Sequence, residues 1–319
     1  MRGRVVPQHR EVLVNGITMH IAEQGTGPLV LLLHGWPESW YVWRHQFQPL
    51  SDAGFHVVAP DQRGYGGTDR PEGVDQYTIL HLVGDVIGLI EALGERQAVV
   101  VGHDWGAPVA WNTALLRPDV VRGVVGLSVA PSLRPSVPPL SILGERFGAG
   151  FYQLYFQQQG VPEAELGEDV PATFRKIFAG SPVGTSGKPM VASDGAGFLA
   201  GFREPETLPA WLTEEDIAAF VEQYARNGFS GGLNWYRNID RNWELTAPWE
   251  GARITAPALY VTGQRDVVRT FGDPRLIERL PALLPNLRGV VDLPDTGHWI
   301  QQERPAEVTA ALSTFLGGL

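Results

Sequence analysis

What constrains this chain most is a series of short, uninterrupted apolar runs, each followed by a stretch with helical spacing. Leu29–Leu33 reads LVLLL, His56–Pro60 reads HVVAP and Ala98–Val101 reads AVVV. A strand exposed on one face alternates polar and apolar residues, so runs without alternation belong to strands buried on both faces, as in a mainly parallel sheet. Between them, Trp40–Leu50 carries apolar residues at helical intervals. Thr78–Leu93 sets Ile79, Leu82, Val83, Val86, Ile90 and Leu93 on one helical face before Gly94, a helix stop. Ala107–Leu116 predicts a helix ending before Pro118. Asn15-Gly16, between Glu11–Val14 and Ile17–Ala22, predicts an opening hairpin, and Val121–Val129 a further strand.

From Pro131 to about Glu250 the alternation stops. Proline, glycine and aromatics dominate, with helical stretches near Ala149–Gln158, Pro171–Ala179 and Glu214–Asn227. Strand patterns return at Ala258–Thr262 and Arg288–Leu293, and Pro305–Leu316 predicts a closing amphipathic helix. The expected organisation is an α/β core over 1–131, an inserted helical lid over 132–250 and the rest of the core over 251–319. Gly184-Thr-Ser-Gly-Lys188 superficially suggests a phosphate loop, but it lacks the first glycine at the required spacing and a following Ser or Thr.

Composition removes several chemistries. The chain of 319 residues has no cysteine, which excludes disulfides, thiolate nucleophiles, iron–sulfur clusters and cysteine-ligated zinc. A formal charge of −10 argues against a nucleic-acid partner. No stretch of apolar residues is long enough to span a membrane, and Met1–Glu11 has no signal-peptide core, so a cytoplasmic location is expected.

The chemistry is concentrated at strand ends. Gly102-His103-Asp104-Trp105-Gly106 sets a carboxylate between glycines at a strand-to-helix junction, the geometry of a nucleophile elbow. An aspartate there can attack an electrophilic carbon and form an ester with it. Taken alone, the pentapeptide is equally a helix start capped by Asp104. His34-Gly35-Trp36 follows another buried run, and the backbone N–H groups of Trp36 and Trp105 are the expected oxyanion-hole donors. His34, beside that hole, reads as structural rather than as the base. After His103 the chain has one further histidine, His298, the expected base. Its orienting acid is expected to be Asp266, after the penultimate strand. Asp295, only three residues from His298, reads as a turn residue.

Together, His34-Gly-Trp-Pro37, Asp61-Gln-Arg-Gly-Tyr-Gly66, Gly102–Gly106 and Gly297-His298-Trp299 resemble the α/β-hydrolase fold, specifically its epoxide hydrolases. The resemblance runs from about Val12 to Leu316. It implies a mostly parallel central sheet flanked by helices with an inserted helical lid, and two lid tyrosines that donate hydrogen bonds to the epoxide oxygen. Phe151–Gln157 and Asn234–Asn238 resemble the two tyrosine-bearing segments of soluble epoxide hydrolases, including the C-terminal domain of the mammalian enzyme, which points to Tyr152 and Tyr236. Tyr155 lies on a similar helical face, and only the motif match favours Tyr152 over it. Trp36 stands where phenylalanine is commoner in the family.

The resemblance implies a catalytic set of Asp104, His298, Asp266, Tyr152 and Tyr236, with no cofactor or metal. A small apolar epoxide and water are the expected partners, and a homodimer is compatible with the sequence without being required by it. Haloalkane or haloacid dehalogenases share the elbow; some place the acid after the strand at Val121–Val129, where Gly126–Arg134 has no acidic residue. A non-catalytic sensor on the same fold commonly lacks triad members, all of which are present here.

Overall fold

The structure, a computed structural model, describes residues 6–182, 190 and 197–319, so the Gly184–Lys188 tract lies outside the described residues. The chain divides into two compact units: residues up to Arg63, Ile79–Leu133 and Trp249–Leu319 form one, while Gly64–Thr78 and Arg134–Pro248 form the other.

The first unit is built on an eight-stranded sheet. In chain order the strands are β1 (Gln8–Val14), β2 (Ile17–Gln24), β3 (Leu29–Leu33), β4 (His56–Pro60), β5 (Ala98–His103) and β6 (Val121–Leu127). After a short pair in the second unit, β7 (Ser181–Pro182) and β8 (Phe202–Arg203), come β9 (Ala258–Gly263) and β10 (Leu287–Leu293). The spatial order is β1-β2-β4-β3-β5-β6-β9-β10. β2 runs antiparallel to both of its neighbours and every other pairing is parallel. The hairpin turns at Asn15 and Gly16, both at positive φ, which puts Val14 opposite Ile17.

Two glycines show why the central strands carry no polar alternation. Gly123 and Gly126 lie an odd number of positions apart on β6, so they face opposite sides of the sheet. A Cβ at Gly123 would meet Leu319 and Phe315, and one at Gly126 would lie 2.3 Å from the Trp111 ring. Helix Pro305–Gly317 therefore covers one face and helix Gly106–Leu116 the other. Helix Ile79–Ala92 packs beside the latter.

Local differences from expectation have local causes. β6 stops at Leu127 because Ser128 takes φ 68 and leaves the strand. Trp40–Leu50 is not one helix but a 3₁₀ turn, Trp40–Trp43, capped by the Ser39 side chain, and then Phe47–Asp52. Helix Leu276–Leu283, which contains Pro281, was not expected.

The second unit is mainly helical. Helices Tyr152–Tyr155, Val170–Ala179 and Glu214–Ala225 occupy the expected stretches; Pro139–Phe147, Val161–Glu168, Ser230–Arg237 and Ile239–Leu245 are additional. Its interior is aromatic, with Phe174 packed on Phe178, Phe220, Tyr224 and Phe229. Residues 64–78 join this unit through backbone: the Asn227 amide donates to Gly66 O and Thr68 O, and Gly231 lies against Gly64 so closely that a Cβ on either would strike backbone. Among the described residues no helix is long and apolar enough to cross a membrane.

Gly126→Ala should cost about 1–3 kcal/mol through overpacking against Trp111. Gly289→Ala on β10, whose nearest contact would be 3.8 Å away, should be neutral or slightly stabilising. Urea unfolding of the two variants checks the difference.

Candidate active site

The candidate centre of the first unit begins at the end of β5. Asp104 has φ 48, a left-handed backbone that costs an L-residue about 1–2 kcal/mol. Three glycines make room for that turn. A Cβ on Gly102 would lie 2.0 Å from Gly106 O, one on Gly106 would lie 2.2 Å from Leu33 O, and one on Gly35 would lie 2.4 Å from Asp104 Cβ. With those glycines in place, the carboxylate is held at the loop after β3, where Trp36 N–H donates to Asp104 Oδ1 at 2.8 Å. Trp105 follows Asp104 at the start of helix Gly106–Leu116.

His298 Nε2 lies 3.5 Å from Asp104 Oδ2, and its Nδ1 lies 3.0 Å from Asp266 Oδ1. Asp266 follows β9, is buried, and also accepts from Val268 N–H at 2.9 Å. Burial raises the Asp104 carboxyl's pKa, but the bond and charge of His298, the charge of His103 and the Trp36 N–H outweigh it, leaving it below the ordinary carboxylate range. Asp266 is lowered in the same way: burial opposes ionisation, and the charge of His298 with hydrogen bonds from His298 and Val268 N–H and the nearby Ser128 hydroxyl wins. Burial pulls His298 down, yet Asp266 and Asp104 together raise it well above its usual value. Asp295 is exposed at φ 49 and paired with Arg265. His34 is buried with both nitrogens engaged, Nδ1–H donating to Gly35 O and Nε2 accepting from Gln62 N–H, so it has no site left for proton transfer.

Several groups that hold this centre carry no local signal in the sequence. Glu38 accepts from Gly35 N–H at 2.8 Å and from Gln301 Nε2, and pairs with His103 Nδ1 at 2.9 Å. His103 Nε2–H in turn donates to the His298 carbonyl. Glu303 clamps the loop that presents His298, accepting from Gly297 N–H at 2.7 Å and Trp299 N–H at 2.9 Å. Ser128 Oγ sits 3.0 Å from His298 Nδ1. No spacing rule marks an isolated Glu or Ser as a partner of a loop distant in sequence, and Ser128 lies inside the Val121–Val129 run that reads as strand.

In the second unit the two expected tyrosines come together. The rings of Tyr152 and Tyr236 lie 5.7 Å apart, and Phe156 packs edge-on against both. Gln157 Nε2 donates to Gln153 O and Tyr236 O, while Arg237 pairs with Glu163 and donates to Phe156 O and Gln158 O. These bonds tie the two tyrosine-bearing helices to each other. Tyr152 Oη accepts from Gln153 Nε2 at 2.8 Å, a bond that does not use the phenol's own proton. Tyr155 is committed elsewhere: its hydroxyl donates to Glu165, whose carboxylate also accepts from Phe198 N–H and Leu199 N–H. Burial and that carboxylate push the Tyr155 pKa upward.

Comparison with known proteins places this geometry. Residues 28–305 match the family described as alpha/beta hydrolase fold. The chain is 46% identical to epoxide hydrolase A of Mycobacterium tuberculosis, covering 98% of both chains, and 43% identical to epoxide hydrolase 3 of Siraitia grosvenorii, covering 97% of this chain and 98% of that one. It is 40% identical to the pig bifunctional epoxide hydrolase 2 and spans 55% of that protein. Among solved structures, epoxide hydrolase A from Mycobacterium thermoresistibile superposes with a TM-score of 0.93 at 47% identity, covering 98% of this chain and 99% of that one. An epoxide hydrolase from Vigna radiata superposes with a TM-score of 0.94 at 40% identity over 100% of both chains. The chain belongs to the α/β-hydrolase family and, within it, to the epoxide hydrolases. The dehalogenase and sensor readings find no support in these relatives.

Glu303→Gln keeps one acceptor for the two N–H groups of the His298 loop and Glu303→Ala keeps none. Each buried N–H left without a partner costs about 1–3 kcal/mol. Thermal unfolding and turnover should both rank wild type above Gln above Ala.

Proposed function

We propose that the chain hydrolyses epoxides to vicinal diols in two steps, through an ester formed on Asp104. The observation that carries this reading is the Asp104–His298–Asp266 arrangement with the Trp36 N–H on the nucleophilic carboxylate. In the first step an Asp104 carboxylate oxygen attacks a ring carbon. The C–O bond of the epoxide breaks, and the developing alkoxide takes a proton from Tyr152 or Tyr236 while the other donates a hydrogen bond. In the second, neutral His298 takes a proton from water, whose oxygen adds to the ester carbonyl; Trp36 and Trp105 N–H groups hold the resulting oxyanion. Collapse breaks the ester C–O bond, and the leaving alkoxide takes the proton that His298 gained and departs as the diol. The second water proton, left on the new Asp104 carboxyl, passes through solvent to the tyrosinate, so that Asp104 regains its charge.

Ester formation itself prepares the base. Two carboxylates hold the proton on His298 in the free enzyme. Alkylation turns one of them into a neutral ester, so the histidine gives up its proton more readily just when a neutral base is needed. The engagement of Tyr155 with Glu165 favours Tyr152 as the partner of Tyr236. Phe156, packed on both phenols, favours apolar epoxides, and the acidic charge disfavours nucleic acid.

Asp104→Ala should abolish turnover of styrene oxide. His298→Gln should consume about one epoxide per enzyme and retain the ester as a mass increase, with hydrolysis slowed by about 10²–10⁴-fold. Turnover by His298→Gln at the wild-type rate would refute the assignment. Tyr152→Phe and Tyr236→Phe should each slow ester formation, whereas Tyr155→Phe should not.

The pH dependence follows from the same groups. Asp104 stays ionised below the ordinary carboxylate range, while His298 must be neutral for the second step only. In acid, at about pH 5, hydrolysis should fail before alkylation, and the ester should accumulate in the wild-type enzyme. Quenching at steady state across pH and weighing the protein checks this; accumulation on the alkaline side instead would contradict it.

A further inference from the structure

Ser128 stands out because the chain keeps a side chain where its backbone favours glycine. It is the first residue past β6, is 2% exposed and has φ 68. Its backbone is locked on both sides: its N–H donates to Val261 O at 2.9 Å, and its carbonyl accepts from Tyr260 Oη at 2.7 Å. Neither bond needs the hydroxyl. That hydroxyl points at the base instead, with Oγ 3.0 Å from His298 Nδ1, the same distance as Asp266 Oδ1.

Proton accounting gives the contact a direction. For Nε2 to take a proton from water its lone pair must be free, so the ring proton of neutral His298 sits on Nδ1. Nδ1–H then faces two acceptors, Asp266 Oδ1 and Ser128 Oγ. Ser128 Oγ and Asp266 Oδ1 thus hold the same ring N–H from two directions, each at 3.0 Å. That shared hold matters most after alkylation. Until then Nε2 is also held by the charged Asp104 carboxylate, at 3.5 Å. The ester removes that charge, and only the Nδ1 side still fixes the tautomer and the tilt of the imidazole.

We propose that Ser128 is a positioning residue for the second half-reaction, its hydroxyl oxygen accepting from Nδ1–H beside Asp266 and so holding His298 in the Nδ1–H tautomer while Asp104 is esterified. This rests on the two-step reading above. Its signature is a defect confined to one step. Ester formation uses Asp104 and the tyrosines, whereas ester hydrolysis uses His298.

The test measures both rates in single turnovers of styrene oxide, by rapid quench and mass analysis, for wild type, Ser128→Ala and Ser128→Gly. Glycine is the informative variant, because it relieves the left-handed backbone while deleting the hydroxyl. Ser128→Gly should melt at or above the wild-type temperature. Both variants should form ester within about twofold of wild type and hydrolyse it about 10-fold or more slowly, part of the 10²–10⁴ that a positioned base contributes. Wild-type hydrolysis rates in Ser128→Gly would overturn the proposal. So would equal slowing of both steps alongside a lowered melting temperature, the mark of a purely structural serine. Absence of any ester in wild type and in His298→Gln is a separate result: it would remove the two-step reading itself.

Discussion

The arrangement of this centre depends on one buried carboxylate. Glu38 is fully buried, and a charge removed from water costs several kcal/mol unless it is paired and hydrogen-bonded. It meets that condition by drawing on its own loop and on two distant parts of the chain. Gly35 comes from the loop that supplies Trp36, His103 from the strand that delivers Asp104, and Gln301 from the segment after His298. The loop of Trp36, the strand that ends at Asp104 and the loop of His298 are thus fastened to a single group. His103 passes the connection on to the backbone of His298 itself. Because each partner leaves a costly unpaired group if it moves alone, the three loops hold their spacing together.

Beneath them, the parallel sheet delivers the proposed reacting groups to one edge. β3, β5 and β9 are parallel neighbours or near-neighbours, and the loops after them carry Trp36, Asp104 and Asp266. β6 lies between β5 and β9 and ends at Ser128; β10 lies beyond β9 and leads to His298. Parallel strands present all their carboxyl ends on the same side, so residues far apart in sequence converge without any long-range signal in the chain.

That geometry explains what the sequence made legible. Unbroken apolar runs marked β3, β4 and β5 because both faces of the sheet are covered, and the Gly102–Gly106 elbow was readable because a left-handed turn at Asp104 demands small neighbours at fixed offsets. His298 was found by the scarcity of histidine after the elbow. Glu38, Glu303 and Ser128 were not, since each acts through contacts between loops that no local pattern encodes. In the helical segment, Ser230–Arg237 escaped notice because Gly231 and Gly232 interrupt its helical pattern, although Gly231 is what lets it approach Gly64. Tyr152 and Tyr155 could not be separated by helical spacing; the Glu165 carboxylate that occupies Tyr155 lies on another helix.

The division of the chain into two units has an evolutionary consequence under the proposed assignment. Ring opening calls on tyrosines carried by the inserted unit, whereas cleavage of the ester needs only groups of the sheet-bearing unit. An insertion with different donors could therefore redirect the enzyme to another electrophile while inheriting the ester-cleaving half unchanged. Selection on substrate range and selection on turnover of the intermediate would then act on separate stretches of sequence, and each could drift or be engineered without undoing the other.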